Sequence, residues 1–155
     1  GDCAQVKGYM EQLSETGRYQ VSKEIMWKLE RDFAAYFCDD AQTKKTIGKV
    51  WKEKNYLIDP HTAVAVDALA QYRAETGDAA PALVVSTASP FKFCPAVLEA
   101  LGANAVTGLE SIAALSRLTG IDAPKPLAEL AGKQPRFDRC VEKDHMVDAV
   151  REMLK

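Results

Sequence analysis

The sequence has no long hydrophobic run and no excess of charge of one sign. Its 155 residues carry 20 lysines and arginines against 22 aspartates and glutamates, a formal net charge of -2. No apolar run approaches the roughly 20 residues that a membrane-spanning helix needs, and the first ten residues lack the apolar segment of a signal peptide. We therefore expect a cytoplasmic protein whose partners are neither membranes nor nucleic acids.

Cysteine is scarce and widely spaced. The four cysteines are Cys3, Cys38, Cys94 and Cys140, and no two of them form a CxxC pair. Zinc sites and redox motifs need closer spacing. We therefore predict no metal site and interpret the four side chains as buried or half-buried thiols.

The familiar sequence motifs of nucleotide-binding and hydrolytic enzymes are also missing. The chain contains no GxGxxG, P-loop, GxSxG or HExxH pattern. It does not begin with methionine, which we interpret as a trimmed start and as a first indication of a longer protein. The composition, 47% hydrophobic and 27% charged, is that of an ordinary globular domain.

Most of the chain has the apolar periodicity and capping signals of helices. Ser22 and Asp39 are placed to cap helices, and Gly17 is placed to end one. Asp59-Pro60 predicts a helix start, because Asp accepts a bond from a free N–H and Pro at the first helical position needs no partner for its missing N–H. We expect this helix to end near Gly77.

One short segment, residues 82–87, is apolar on both faces. This pattern is typical of a buried parallel strand with helices above and below it. A second, weaker strand is predicted over residues 137–141. The many predicted helices and the few predicted strands together indicate a helix-rich α/β fold with few short parallel strands. A buried parallel strand needs neighbouring strands to pair its backbone. We expect those missing neighbours to belong to an absent N-terminal part.

Two places could carry chemistry. Ligands of open α/β sheets bind just past the carboxyl ends of the strands, so the hydroxyl-rich residues 86–90 are one candidate; a plain strand-to-helix turn is the alternative. His61 and Thr62 lie in the first turn of a helix, where anions are favoured, although a capping turn explains them equally. Lys92 could meet a phosphate or simply reach solvent. We expect His61 to have a mainly architectural role, because a catalytic base needs a positioned partner.

Two segments resemble a known family. The family of threonine synthases found in fungi and many bacteria typically reads DPHTAVG and, after about twenty residues, STAHPAKFP. Residues 59–65 read DPHTAVA here, and residues 86–95 read STASPFKFCP. Ala65, Ser89 and Phe91 depart from the usual Gly, His and Ala, so any role of the family's His at position 89 does not carry over.

The resemblance implies a fold type II pyridoxal-phosphate enzyme that converts O-phospho-L-homoserine and water to L-threonine and phosphate. The family's Schiff-base lysine lies in a Phe-Lys-Asp segment of the N-terminal half, which this chain lacks. Residues 1–155 would then be a single C-terminal domain or fragment, inactive without the N-terminal half as its partner. By the same resemblance, a hydroxyl at the strand end binds the pyridine nitrogen: Thr87, with Ser86 as the second choice. His61 and Lys92 would lie near the substrate, and none of these four residues would be catalytic.

Two other interpretations stay open. A stand-alone helical module that binds a protein partner or regulates it would also expose a large apolar patch. Another fold type II enzyme, such as a threonine dehydratase, is a further alternative, but the segment at residues 59–62 argues against it.

Overall fold

The computed structural model describes residues 2–136 and 139–154, and the described chain is built from helices. The eight α-helices are α1 (Cys3–Thr16), α2 (Lys23–Asp32), α3 (Asp40–Lys54), α4 (Pro60–Thr76), α5 (Cys94–Ala100), α6 (Glu110–Thr119), α7 (Lys125–Ala128) and α8 (Met146–Met153). Three short 3-10 helices cover Pro90–Lys92, Glu129–Gly132 and Lys143–His145. The predicted helix-rich architecture is confirmed. None of the described helices is long and apolar enough to cross a membrane.

The predicted helix ends form by local capping. Asp39 accepts a hydrogen bond from the Gln42 N–H at 2.7 Å, and Ser22 accepts one from the Ile25 N–H at 3.3 Å. Gly17 and Gly77 close α1 and α4 with φ of 74° and 70°. This left-handed conformation costs glycine little because it has no Cβ.

The core lies where α3, α4, α5 and α6 meet. Its fully buried side chains include Ile47 from α3, Val97 from α5 and Leu115 from α6. The loop before α4 adds Leu57 and Ile58, and the 3-10 turn before α5 adds Phe91. By contrast, α1 and α2 bury none of their side chains against the rest of the described chain.

A polar network ties α3 to α4. The buried Asp67 carboxylate of α4 accepts hydrogen bonds at 2.7 Å from the side chains of Gln42 in α3 and Gln71 in α4. The Gln42 bond, more than any other effect, lowers the pKa of Asp67, because donors that point at a carboxylate favour its charged form. The side chain of Gln42 therefore reaches across to α4 instead of back to its own cap at Asp39.

The segment at residues 82–87, predicted as a buried strand whose neighbours belong to an absent N-terminal part, is neither paired nor buried within the described chain. These residues form neither a helix nor a strand, and the side chains of Leu83 and Val85 are 90% and 68% exposed. A parallel strand needs neighbouring strands to pair its backbone and helices to cover its faces, and the described residues provide neither. Of the second predicted strand, residues 137 and 138 lie outside the described residues, and residues 139–141 have no strand structure.

The expectation for the cysteines is half wrong. Cys94 is buried and Cys38 is half-buried, but Cys3 and Cys140 are exposed. All four are free thiols. Cys94 is buried because it begins α5 on the core side, where its thiol donates to the Phe91 carbonyl at 3.1 Å. Cys3 lies on α1, which packs on nothing that would cover it.

A glycine lets α3 and α5 approach closely. A Cβ added at Gly48 would lie 2.6 Å from the carbonyl oxygen of Ala100, a contact that real Cβ atoms do not make. The two helices are also joined by an ion pair between Lys44 and Glu99. The backbone oxygen cannot move away as a flexible side chain could, so the close approach requires glycine.

We predict that Gly48→Ala destabilises the chain. Alanine favours a helix over glycine by up to about 1 kcal/mol, but the clash with Ala100 should outweigh this gain and cost about 1–3 kcal/mol in net stability. Gly8→Ala in α1 is the matched control, because nothing lies within 4 Å of its added Cβ. Urea unfolding of both variants tests the prediction, and a Gly48→Ala variant as stable as Gly8→Ala would contradict it.

Candidate functional site

The site begins at the first turn of α4. Asp59 caps this helix, and its Oδ1 accepts a hydrogen bond from the His61 N–H at 2.9 Å. Pro60 occupies the first helical position, as the sequence predicted. The helix start is therefore specified by three consecutive residues, which explains why sequence reasoning located it.

The Asp59 carboxylate is buried and accepts further hydrogen bonds besides the one that caps α4. Its residue is only 1% exposed. Oδ1 also lies 3.0 Å from the His61 Nδ1, and Oδ2 accepts a hydrogen bond from the Thr62 hydroxyl. Burial acts to raise the pKa of Asp59, but the hydrogen bonds from Thr62 and His61 outweigh it and hold the pKa below its ordinary value. Asp59 is thus a buried charge held by hydrogen-bond donors from the first turn of α4.

Thr62 connects the two sequence segments. Its hydroxyl, itself buried, lies 2.8 Å from the Ser86 Oγ across 24 residues of sequence. The DPHT segment and the STASP segment therefore meet directly in space. The start of α4 and the end of the segment at residues 82–87 therefore form one continuous site.

His61 lies at the solvent edge of this site. Its side chain is 70% exposed, and its ring makes an edge contact with Phe93, with centroids 4.9 Å apart and planes at 61°. The Nδ1 contact to ionised Asp59 requires Nδ1 to carry a hydrogen, because a carboxylate only accepts. In the neutral ring Nε2 is then the acceptor on the open side.

Thr87 and Lys92 are exposed beyond this network. Thr87 follows Ser86 directly, and Lys92 closes the 3-10 turn, with its N–H bonded to the Ser89 carbonyl at 3.0 Å. Ser89 caps that turn through its hydroxyl, which accepts from the Phe91 N–H at 3.3 Å. Ser89, which replaces the family's usual histidine, therefore stabilises the 3-10 turn locally.

Sequence reasoning missed two parts of the site. It interpreted Asp59 only as a cap, and it gave Phe93 no role. The Asp-x-x-Thr spacing was a usable signal for the first, since it places a hydroxyl in the first helical turn above the capping carboxylate. The sequence spacing of His61 and Phe93 does not predict their contact, because the contact depends on the conformation of residues 90–93.

Comparison with known proteins decides the family. The family profile described as "Threonine synthase, C-terminal" matches residues 62–154. The chain belongs to this family. The resemblance carried by the two sequence segments is therefore confirmed.

Individual relatives agree with this membership. The threonine synthase of Saccharomyces cerevisiae is 35% identical over 101 residues, covering 62% of this chain and 20% of the yeast protein. The threonine synthase of Corynebacterium glutamicum is 34% identical over 121 residues, covering 78% and 22%. "Threonine synthase-like 1" of Macaca fascicularis is 32% identical over 118 residues, covering 76% and 15%.

A solved structure extends the match to the fold. The chain superposes on PLP-bound threonine synthase from Brucella melitensis with a TM-score of 0.71 and 27% identity, covering 97% of this chain and 29% of that one. The fold is therefore that of a part of a threonine synthase. The chain spans less than a third of the length of each of these proteins.

We predict that Asp59 titrates below the ordinary aspartate range of about 4. Because its folded pKa is lowered, the stability that it contributes is present above the unfolded pKa and is lost as the pH falls through the folded pKa. Carboxyl ¹³C NMR measures the midpoint directly. Thr62→Val removes one donor and should move the midpoint upward, whereas Thr62→Ser should keep it low. A wild-type midpoint equal to that of the unfolded chain would refute this.

Proposed function

We propose that this chain is the C-terminal part of a cytoplasmic threonine synthase that converts O-phospho-L-homoserine and water to L-threonine and phosphate. The single observation that supports this best is the Thr62–Ser86 hydrogen bond, because it joins the two family segments into one site. Membership of the threonine synthase family supports a reaction of this class.

Pyridoxal phosphate is the proposed cofactor of the full-length enzyme, where it supplies an electron sink for carbanions. The residues present fit its pyridine ring. Thr87 offers an exposed hydroxyl next to Ser86, and a hydroxyl can donate to an unprotonated nitrogen. The nearby carboxylate, Asp59, is buried behind Thr62 and already bonded, so it is not available to favour a protonated ring.

We assign the remaining site residues to supporting tasks. Thr87 holds the ring nitrogen, with Ser86 as the alternative hydroxyl. His61 fixes the start of α4 at the solvent edge of the site through its bond to Asp59, and Lys92 offers a positive charge close to the substrate phosphate. Asp59 gives the His61 ring the positioned partner that the sequence did not show, and the mainly architectural role of His61 stays our proposal.

The proposed partner is the N-terminal half of the same enzyme, with O-phospho-L-homoserine as the small-molecule substrate. The exposed side chains of Leu83 and Val85 support this assignment, because an apolar segment gains stability when neighbouring strands and helices cover it. An independent helical interaction module would use exposed apolar surface in the same way. Restored activity on mixing the two halves distinguishes the enzyme fragment from the module.

We predict that the chain alone forms no stoichiometric Schiff base with pyridoxal phosphate and has no threonine synthase activity. The reason is that the lysine which holds the cofactor in the family lies in a segment that this chain lacks. The visible spectrum after removal of excess cofactor tests the first part, and phosphate release tests the second. A stoichiometric band that disappears on mutation of one particular lysine of this chain would refute the assignment. Adding the N-terminal half should restore both signals.

We predict that Thr87→Val weakens cofactor binding and slows turnover in the full-length enzyme. The change keeps the shape but leaves the ring nitrogen unpaired, at a cost of about 1–3 kcal/mol. Thr87→Ser keeps the hydroxyl and should retain most of the activity. Cofactor affinity and kcat are compared with those of Ser86→Ala. If Thr87→Val has the cofactor affinity and kcat of the wild type and Ser86→Ala does not, Ser86 and not Thr87 binds the ring nitrogen. If neither change matters, the cofactor does not meet this segment.

A further inference from the structure

The hydrogen bonds that link Ser86, Thr62 and Asp59 can run in only one direction. An ionised carboxylate has no hydrogen to donate, so Asp59 accepts from the hydroxyl of Thr62. That bond is charge-assisted and stronger than a bond between two neutral hydroxyls. Thr62 has a single hydroxyl hydrogen, which is therefore committed to Asp59.

The direction of the next bond follows. Thr62 can only accept at the 2.8 Å contact with Ser86, so Ser86 donates its hydroxyl hydrogen to Thr62. Ser86 then has only lone pairs left for a ligand. It can accept a hydrogen bond, but it cannot donate one to an unprotonated ring nitrogen.

We propose that Ser86 is a positioning residue, committed through Thr62 to Asp59, and that it leaves the neighbouring Thr87 hydroxyl to donate to the cofactor ring. This inference rests on the proposed function for its ligand. The hydrogen-bond chain itself does not depend on any ligand, because it is formed by residues of this chain alone.

The hydrogen bond between Ser86 and Thr62 anchors a segment that is otherwise exposed. Most of residues 81–87 are exposed and belong to no helix or strand of the described chain. The contact with Thr62 ties the end of this segment to the first turn of α4, where Asp59, Thr62 and Ala63 are buried. Thr87, the next residue, is thereby held close to a well-anchored point.

A double-mutant cycle tests the hydrogen-bond chain without any cofactor. Thr62→Val and Ser86→Ala should be coupled by at least about fivefold in the unfolding equilibrium constant, as contacting residues are. Thr62→Val and Thr87→Val form the matched control cycle and should be coupled by less than about twofold. Thr62→Ser keeps the hydroxyl, so Ser86→Ala should cost as much stability in the Thr62→Ser background as in the wild type. The 155-residue chain is used, or the full-length apoprotein if the chain shows no cooperative unfolding.

A ring-nitrogen measurement tests the assignment of the donor. In the full-length enzyme loaded with ¹⁵N-labelled pyridoxal phosphate, Ser86→Ala should leave the ring-nitrogen chemical shift unchanged and weaken binding by about two- to tenfold. Thr87→Val should move that shift. A shift moved by Ser86→Ala and not by Thr87→Val, or coupling below twofold in the first cycle, would overturn the proposal. A full-length protein that keeps the coupling but binds no pyridoxal phosphate would instead overturn the proposed function.

Discussion

The arrangement of the site depends on one buried charge, the carboxylate of Asp59. An unpaired charge in this position would be prohibitively costly, and among the described residues the imidazole of His61 is the basic side chain bonded to it. The backbone N–H of His61 and the hydroxyl of Thr62 supply the other donors. The same bonds therefore start α4, orient His61 and turn Thr62 towards Ser86, so that a helix cap also organises the end of a distant segment.

This organisation needs a rigid base, which the packing of α3, α4, α5 and α6 provides. The absence of a side chain at Gly48 lets α3 approach the backbone of α5, and Asp67 joins α3 to α4 through Gln42. The 3-10 turn that carries Phe91 and Phe93 is packed on this core. The position of His61 between Asp59 and Phe93 is thus set by contacts from two separate parts of the chain.

The rest of the described chain is covered far less. The helices α1 and α2 bury no side chains, and Leu83 is almost fully exposed. In a family whose members are several times longer than this chain, such apolar surface fits a part that packs against more protein. This exposure also agrees with our proposal that the assembled enzyme, and not this chain alone, binds the cofactor.

The sequence by itself determined the family and the helix ends at Gly17, Ser22, Asp39, Asp59 and Gly77, because each rests on short-range patterns. Asp59-Pro60 starts a helix and Gly77 ends one through bonds within a few residues, and the two segments at 59–65 and 86–95 are recognisable as they stand. Only the tertiary structure decided that Thr62 meets Ser86, that Asp59 is buried and that Cys3 is exposed. Burial and long-range hydrogen bonds depend on which surfaces pack together. The apolar pattern of residues 82–87 predicted a buried strand, but burial requires neighbouring strands and covering helices, which local sequence cannot supply.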